Sequence, residues 1–227
     1  MKKQNIKAVF FDMDGVLFDS MKNHSEAWHK VMKDNGFTLS REEAYMHEGR
    51  TASSTINIVC NRELNRNATD EEVKRIYEQK TNVFNSLPEA KQISGVYDLL
   101  KRVKKDGMKI VLVTGSGQRA LLDRLEKNFP SMFTKELMVT AYDVKNGKPN
   151  PEPYLTALSK AEVKPDEAIV IENAPLGVES SSKAGIFTIA VNTGPLPNEV
   201  LINSGADKLY SNMHELTRAW DNDELSL

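Results

Sequence analysis

Two textures of apolar and polar positions alternate along this chain. The first is the stretch "KAVFF" (residues 7–11), four apolar residues behind Lys7, which reads as a buried strand and stops at Asp12. From about residue 21 to residue 88 the spacing is helical throughout. "HSEAWHKVMKDNGF" ends at the helix-stopping Gly36, and "TASSTINIVCNREL" follows. "TDEEVKRIYEQKTNVFNSL" then opens with a Thr69 cap and an acidic first turn. No β-rich run interrupts the stretch, so a small all-helical unit is predicted. Beyond Pro88 the texture changes to alternation. "GVYDLLKRVKKDG" sets Val96, Leu99, Leu100 and Val103 at helical spacing and stops at Gly107. "MKIVLVTG" reads as a strand, "QRALLDRLEKNF" as a helix, "KELMVTAYD" as a strand and "PEPYLTALSKAEV" as a helix. "EAIVIEN", "FTIAVNTG" and "ADKLYSN" are further short strands, while the tail "RAWDNDELSL" carries no legible pattern.

Strands alternating with helices of this length predict an α/β fold: a Rossmann-like parallel sheet with helices on both faces. The helical unit interrupts it after the first strand. Crossings near residues 18–20 and 86–89 give a core of residues 1–18 and 89–227 and an inserted domain of residues 19–88. In such sheets ligands sit beyond the carboxyl ends of the strands. Those ends read "DMDG" (residues 12–15), "TGSG" (114–117), "GKPNPEP" (147–153) and "ENAP" (172–175). Together they hold carboxylates, hydroxyls, glycines and one lysine, the inventory for binding a phosphate with Mg²⁺, which takes one or two carboxylates, several waters and phosphate oxygens.

Asp12 and Asp14, two apart in extended chain, point the same way. One carboxylate can bind metal and attack phosphorus while the other handles the proton. Thr114, Gly115 and Ser116, with the amides of "TGSGQ" through Gln118, precede a helix and so form an anion-binding terminus. Lys148 supplies a point charge for phosphate oxygens and for the aspartates. Singly, each motif has a plain reading as a turn, a cap or a solvated lysine. All four in order, each at a strand end, point to one site.

Composition narrows the class. At 227 residues, 40% hydrophobic, the chain has enough for a real core. Lys plus Arg (30) nearly balances Asp plus Glu (32), giving no electrostatic case for nucleic acid or an anionic membrane. The apolar run behind "MKKQNIK" is too short for an export signal or a span. The single cysteine, Cys60, excludes a disulfide framework or Cys-based zinc cluster, and the four histidines show no HExxH spacing. A reduced, cytoplasmic protein is expected, a monomer with a small phosphorylated substrate and no macromolecular partner.

On "FDMDGVLFDS", "GKPNPEPYLTAL" and "GADKLYS" the sequence resembles the haloacid dehalogenase (HAD) superfamily, in its β-phosphoglucomutase-like branch, over essentially the whole chain. The resemblance implies Asp12 as the nucleophile that forms an aspartyl-phosphate. It implies Asp14 as general acid and base, ligating Mg²⁺ through its backbone carbonyl, and Thr114 on the transferring phosphoryl group. Lys148 neutralises charge, Asn173 completes the metal site, and Glu172 stands behind it. Mg²⁺ and Lys148 would then make the two adjacent aspartates tolerable.

Two departures follow. Many members have an aspartate where this chain has Asn173, so the site loses a negative charge. The mutases carry a lysine before a glycine in the inserted domain, where "MHEGRTAS" has Glu48. An acid there repels a phosphate unless a cation intervenes. Glu48 reaching the Mg²⁺ on closure would shrink the site around a very small substrate, with His47, Arg50 and Gln118 near the distal phosphate. The stretches "HSEAWHKVM", "SREEAYMHEGRT" and "ENAPLGVE" resemble an inorganic pyrophosphatase of this branch. The expectation is therefore Mg²⁺-dependent hydrolysis of pyrophosphate, the alternatives being a β-phosphoglucomutase or a small sugar-phosphate phosphatase.

Overall fold

Six short apolar runs pair side by side in one wholly parallel sheet, in a computed structural model that describes residues 5–116 and 121–225. The strands are β1 (Ala8–Phe11), β2 (Lys109–Val113), β3 (Met138–Val139), β4 (Ala168–Glu172), β5 (Phe187–Val191) and β6 (Lys208–Tyr210), in the order β3-β2-β1-β4-β5-β6. β1 is central, with Phe11 between Leu112 and Ile171. Successive side chains take opposite faces. Val9, Phe11, Leu112 and Ile171 thus enter one hydrophobic cluster, and Ala8, Phe10, Val111 and Val170 the other. Both faces are covered, which is why these strands read as continuous apolar runs. Helices α5 (Val96–Lys105) and α10 (Met213–Asp221) lie on the first face and α7 (Glu152–Ala161) on the second.

Helices α1 (Met21–Asp34), α2 (Arg41–Met46), α3 (Ala52–Leu64) and α4 (Asp70–Ser86) fall between β1 and α5. They share a core of their own around Val31, Met32, Leu39, Ile56, Val59, Cys60 and Ile76. Their starts are chemically marked. Ser40, Thr51 and Thr69 each accept the amide of the third helical residue, and Glu72 returns the bond to the Thr69 amide, closing a capping box. Because α2 ends before His47 and Thr51 caps α3, residues 47–50 form a short, fixed connection.

The strand expected over "KELMVTAYD" is only Met138–Val139, preceded by a 3₁₀ turn at Lys135–Leu137. The Asp143 carboxylate accepts from the Thr140 amide (2.8 Å) and hydroxyl (2.7 Å), turning the chain off the sheet. The start of the illegible tail supplies the last turn of α10, and the tail buries Trp220 and Leu225, with the Trp220 indole donating to Asp106 at 2.9 Å. Among the described residues no helix is long and apolar enough to cross a membrane.

Candidate active site

Asp12 is the first residue beyond the central strand, its amide donating to the Ile171 carbonyl at 3.1 Å. Thr114 ends β2 on one side, and Glu172 and Asn173 end β4 on the other; all four are buried. Lys148 arrives from the loop after β3. Its Nζ donates to Asp12 Oδ1 (2.5 Å), to Glu172 Oε1 (2.6 Å) and to the Val113 carbonyl (3.2 Å). Burial opposes the lysine's charge, yet Asp12 and Glu172 hold its pKa well above the usual value. Burial also dominates at Asp12: it outweighs the Lys148 charge and, with Glu172 and Asp14, lifts the carboxyl to about 8. One lysine facing two carboxylates leaves negative charge unmatched.

Glu172 is fully buried and spends both oxygens on structure. Oε1 accepts from Lys148 and from the Tyr154 hydroxyl (2.8 Å), and Oε2 from the amides of Asn173 (2.9 Å) and Ala174 (3.1 Å). Helix α8 (Pro175–Lys183) begins beside it, and Gly177 leaves it room: a Cβ there would lie 1.8 Å from Oε1.

Asp14 is held by different partners. The Ser20 hydroxyl donates to its Oδ1 at 2.5 Å, and His24 Nε2 stands 3.2 Å from the same oxygen. The other ring nitrogen of His24 is 2.7 Å from Lys80 Nζ, and its ring stacks on Phe84. With Lys80 as donor to Nδ1, the remaining ring proton sits on Nε2 and points at Asp14. Burial would raise the Asp14 carboxyl, but hydrogen bonds from His24 and Ser20 and the nearby Lys80 charge hold it well below the usual range. Burial, then the Lys80 charge, lowers the His24 pKa, and burial lowers Lys80 to about 8. Ser20, His24, Lys80 and Tyr154 were not singled out from the sequence. Lys80 left one trace: it and Ile76, one turn apart, are the buried residues of α4, a lysine on an apolar stripe.

Residues 48–51 lie directly on the strand ends. Glu48 is 8% exposed, and its Oε1 accepts from Asn173 Nδ2 at 3.0 Å. Burial, then the Asp12 charge, pushes its pKa well above the ordinary value. Gly49 has φ +85°, and a Cβ on it would stand 3.0 Å from the Lys148 side chain. Across this contact, a Cβ at Gly147 would meet Thr51 at 2.9 Å and one at Gly115 the Gly49 carbonyl at 3.2 Å. Small residues on both sides let the two backbones approach.

Between them lies a cavity of about 100 Å³. Asp12, Asp14, Thr114, Gly115 and Ser116 line it from the sheet side, and His24, His47, Glu48, Arg50 and Lys80 from the helical side. Gln118, and the start of the helix expected behind "TGSGQ", lie outside the described residues; α6 is described over Leu121–Asn128. Among the described residues, three buried polar atoms here have no hydrogen-bond partner: His47 Nδ1, Arg50 Nε and Asn173 Oδ1. Donors on the helical side suit an anion, and the amide oxygen suits a cation. Among the described residues no three His, Cys, Asp or Glu side chains form a metal cluster. The donors near Asn173 are a mixed set of hard oxygens beside unmatched negative charge. That set fits Mg²⁺, which retains several waters, better than a softer metal.

Residues 9–191 match the family model for haloacid dehalogenase-like hydrolases. The chain belongs to this family. A phosphorylated carbohydrates phosphatase of Thermotoga maritima is 34% identical to this family member over 185 residues, covering 81% of this chain and 84% of the relative. A Clostridium perfringens protein provisionally named pyrophosphatase PpaX is 31% identical over 211 residues, 89% of this chain and 91% of the relative. Among solved structures, a Bacteroides vulgatus protein provisionally named β-phosphoglucomutase superposes with a TM-score of 0.95 at 59% identity. It spans 98% of this chain and 90% of its own.

Proposed function

We propose that this HAD-family chain is a Mg²⁺-dependent phosphohydrolase that cleaves inorganic pyrophosphate through a phosphorylated Asp12. The observation that carries the reading is Glu48, a buried carboxylate set on Asn173 over a cavity of about 100 Å³. Pockets for larger organic ligands usually run to roughly 300–1,000 Å³. An acid above the metal side disfavours a second anionic group unless a cation lies between them. His47 and Arg50 offer donors to a distal phosphate on the same side.

In this reading an Asp12 carboxylate oxygen attacks one phosphorus, forming an acyl-phosphate bond as the bridging P–O bond breaks. The departing phosphate is already a stable anion. A water oxygen then attacks the aspartyl-phosphate phosphorus, the water proton passes to Asp14, and the Asp12–phosphorus bond breaks. Ser20 and His24 keep Asp14 in the carboxylate form that this proton transfer requires. Lys148 and Thr114 flank Asp12 and offset the charge of the transferring group. Asp12, the Asp14 carbonyl, Asn173 and Glu48 would hold Mg²⁺, which when bound neutralises phosphate oxygens. Residues 19–88 act as a cap over a core of residues 1–18 and 89–227, excluding stray water on closure.

A second reading, a β-phosphoglucomutase or sugar-phosphate phosphatase, is favoured by the names of the Bacteroides vulgatus and Thermotoga maritima proteins. A mutase would pass the phosphoryl group to a sugar hydroxyl, and Glu48 in place of a cation weighs against it. Phosphate release from pyrophosphate and a sugar-phosphate panel with Mg²⁺ separates the two. Pyrophosphate leads under the first reading, and sugar phosphates equal or exceed it under the second.

A further inference from the structure

Beside the Glu48–Asn173 hydrogen bond, the helical unit meets the core in a purely steric contact. Thr51, which caps α3, stands against Gly147 in the loop that carries Lys148. A Cβ at Gly147 would lie 2.9 Å from the Thr51 Cγ2 methyl, whereas its next neighbours, the Thr51 amide nitrogen and the Gly49 carbonyl oxygen, stand at 3.6 and 3.8 Å. One methyl group therefore accounts for the tight fit. Gly147 has φ outside the left-handed region, so its backbone conformation does not itself call for glycine. The contact does.

Both sides of the contact are fixed. On the core side the Glu152 carboxylate accepts from the Lys145 and Asn146 amides at 2.7 and 3.0 Å. The Asn150 amide donates to the Gly147 carbonyl at 3.0 Å, and the Ser180 hydroxyl donates to the Asn150 carbonyl at 2.6 Å. On the helical side Thr51 is β-branched, and its hydroxyl accepts the Ser54 amide at 3.3 Å, so the methyl cannot swing aside without uncapping α3. The freedom that remains belongs to the helical unit as a whole. Its two connections to the core pair with each other, the Asp19 amide donating to the Lys91 carbonyl at 2.8 Å and the Ile93 amide to the Leu17 carbonyl at 2.9 Å. That narrow attachment is one about which the unit can turn.

We propose that the Thr51–Gly147 contact is the stop that sets how far the helical unit closes on the core, and through that depth selects the size of phosphate compound the site takes. The inference rests on the reading of residues 19–88 as a closing cap. Carbon atoms pack at about 3.5–4.0 Å, so Gly147→Ala would hold Thr51 back by roughly 0.6–1 Å from its 2.9 Å approach. Glu48 precedes Thr51 in the same short connection, and a shift of that size stretches its 3.0 Å bond to Asn173 past hydrogen-bonding length. The cavity over Asp12 widens as that bond is lost.

The test is a double-mutant cycle on the full chain: wild type, Gly147→Ala, Thr51→Ser and the pair. Thr51→Ser removes the Cγ2 methyl and keeps the capping hydroxyl. The readouts are kcat/KM for pyrophosphate against β-glucose 1-phosphate with Mg²⁺, and amide hydrogen exchange over residues 47–51 in metal-free protein. Gly147→Ala should cut the pyrophosphate-to-sugar-phosphate ratio by about tenfold or more, since a misplacement near 1 Å can cost about 100-fold, and should raise exchange. In the Thr51→Ser background the same substitution should change the ratio by less than about threefold and leave exchange at the level of Thr51→Ser alone. A ratio or an exchange rate unmoved by Gly147→Ala would overturn the inference. So would a defect that persists undiminished in the pair, since the alanine would then be disturbing the Lys148 loop itself. A wild type that prefers the sugar phosphate removes the pyrophosphate reading alone, because the cycle reads the change in the ratio and not its starting value.

Discussion

Glu48 and Asn173, 125 residues apart in the chain, meet through a buried 3.0 Å hydrogen bond in which the amide donates to the carboxylate. An aspartate at position 173 lacks that donor and sets a like charge against Glu48. Asn173→Asp should therefore loosen contact between the helical unit and the strand ends in metal-free protein. Amide hydrogen exchange over residues 47–51 should rise, and Mg²⁺ should restore protection. Equal exchange in the two proteins would show that the hydrogen bond does not hold the contact.

His24 bridges Lys80 and Asp14, and the account gives it the task of fixing the Asp14 carboxylate. His24→Ala should lower kcat by about 10- to 100-fold with a smaller change in KM. The acid limb of the pH–rate profile should also move upward, because Asp14 loses the partner that holds its pKa low. A structural role alone would lower stability and leave that limb in place.

Gly177 sits in helix α8, where alanine ordinarily gains about 1 kcal/mol. Here the Cβ would lie 1.8 Å from Glu172, whose oxygens hold Lys148, Tyr154 and two amides. Overpacking costs about 1–3 kcal/mol and wins. Gly177→Ala should lower both the melting temperature and the turnover rate, and thermal unfolding with a rate assay checks both.

Metal and pH act on the same carboxylates. Asp12 and Glu48 have raised folded-state pKa values, chiefly through burial. Both states are protonated at low pH. Above the unfolded values the unfolded chain releases protons that the folded one retains, so folding stability falls as pH rises toward about 8 for Asp12. Chelator-treated protein should melt at a lower temperature at pH 8 than at pH 5. Added Mg²⁺ should raise the melting temperature more at pH 8, since the cation favours the ionised forms.

Much of this arrangement was legible because parallel strands buried on both faces advertise themselves as apolar runs, and because Asp12, Thr114 and Asn173 follow such runs directly. Helix α8 was not singled out from the sequence, yet Pro175 opens it and Gly177 is there for Glu172. His24 and Lys80 escaped because their meaning is a contact between α1 and α4, 56 residues apart, and no local pattern records it.

The most direct measurement is the rate of phosphate release from pyrophosphate, β-glucose 1-phosphate and a small sugar-phosphate panel with Mg²⁺, for wild type and Glu48→Ala. The account predicts that pyrophosphate leads in wild type and that Glu48→Ala removes this lead, lowering pyrophosphate turnover by about 100-fold while sugar phosphates change little. Sugar phosphates matching pyrophosphate in wild type, with Glu48→Ala without effect on either, would contradict it.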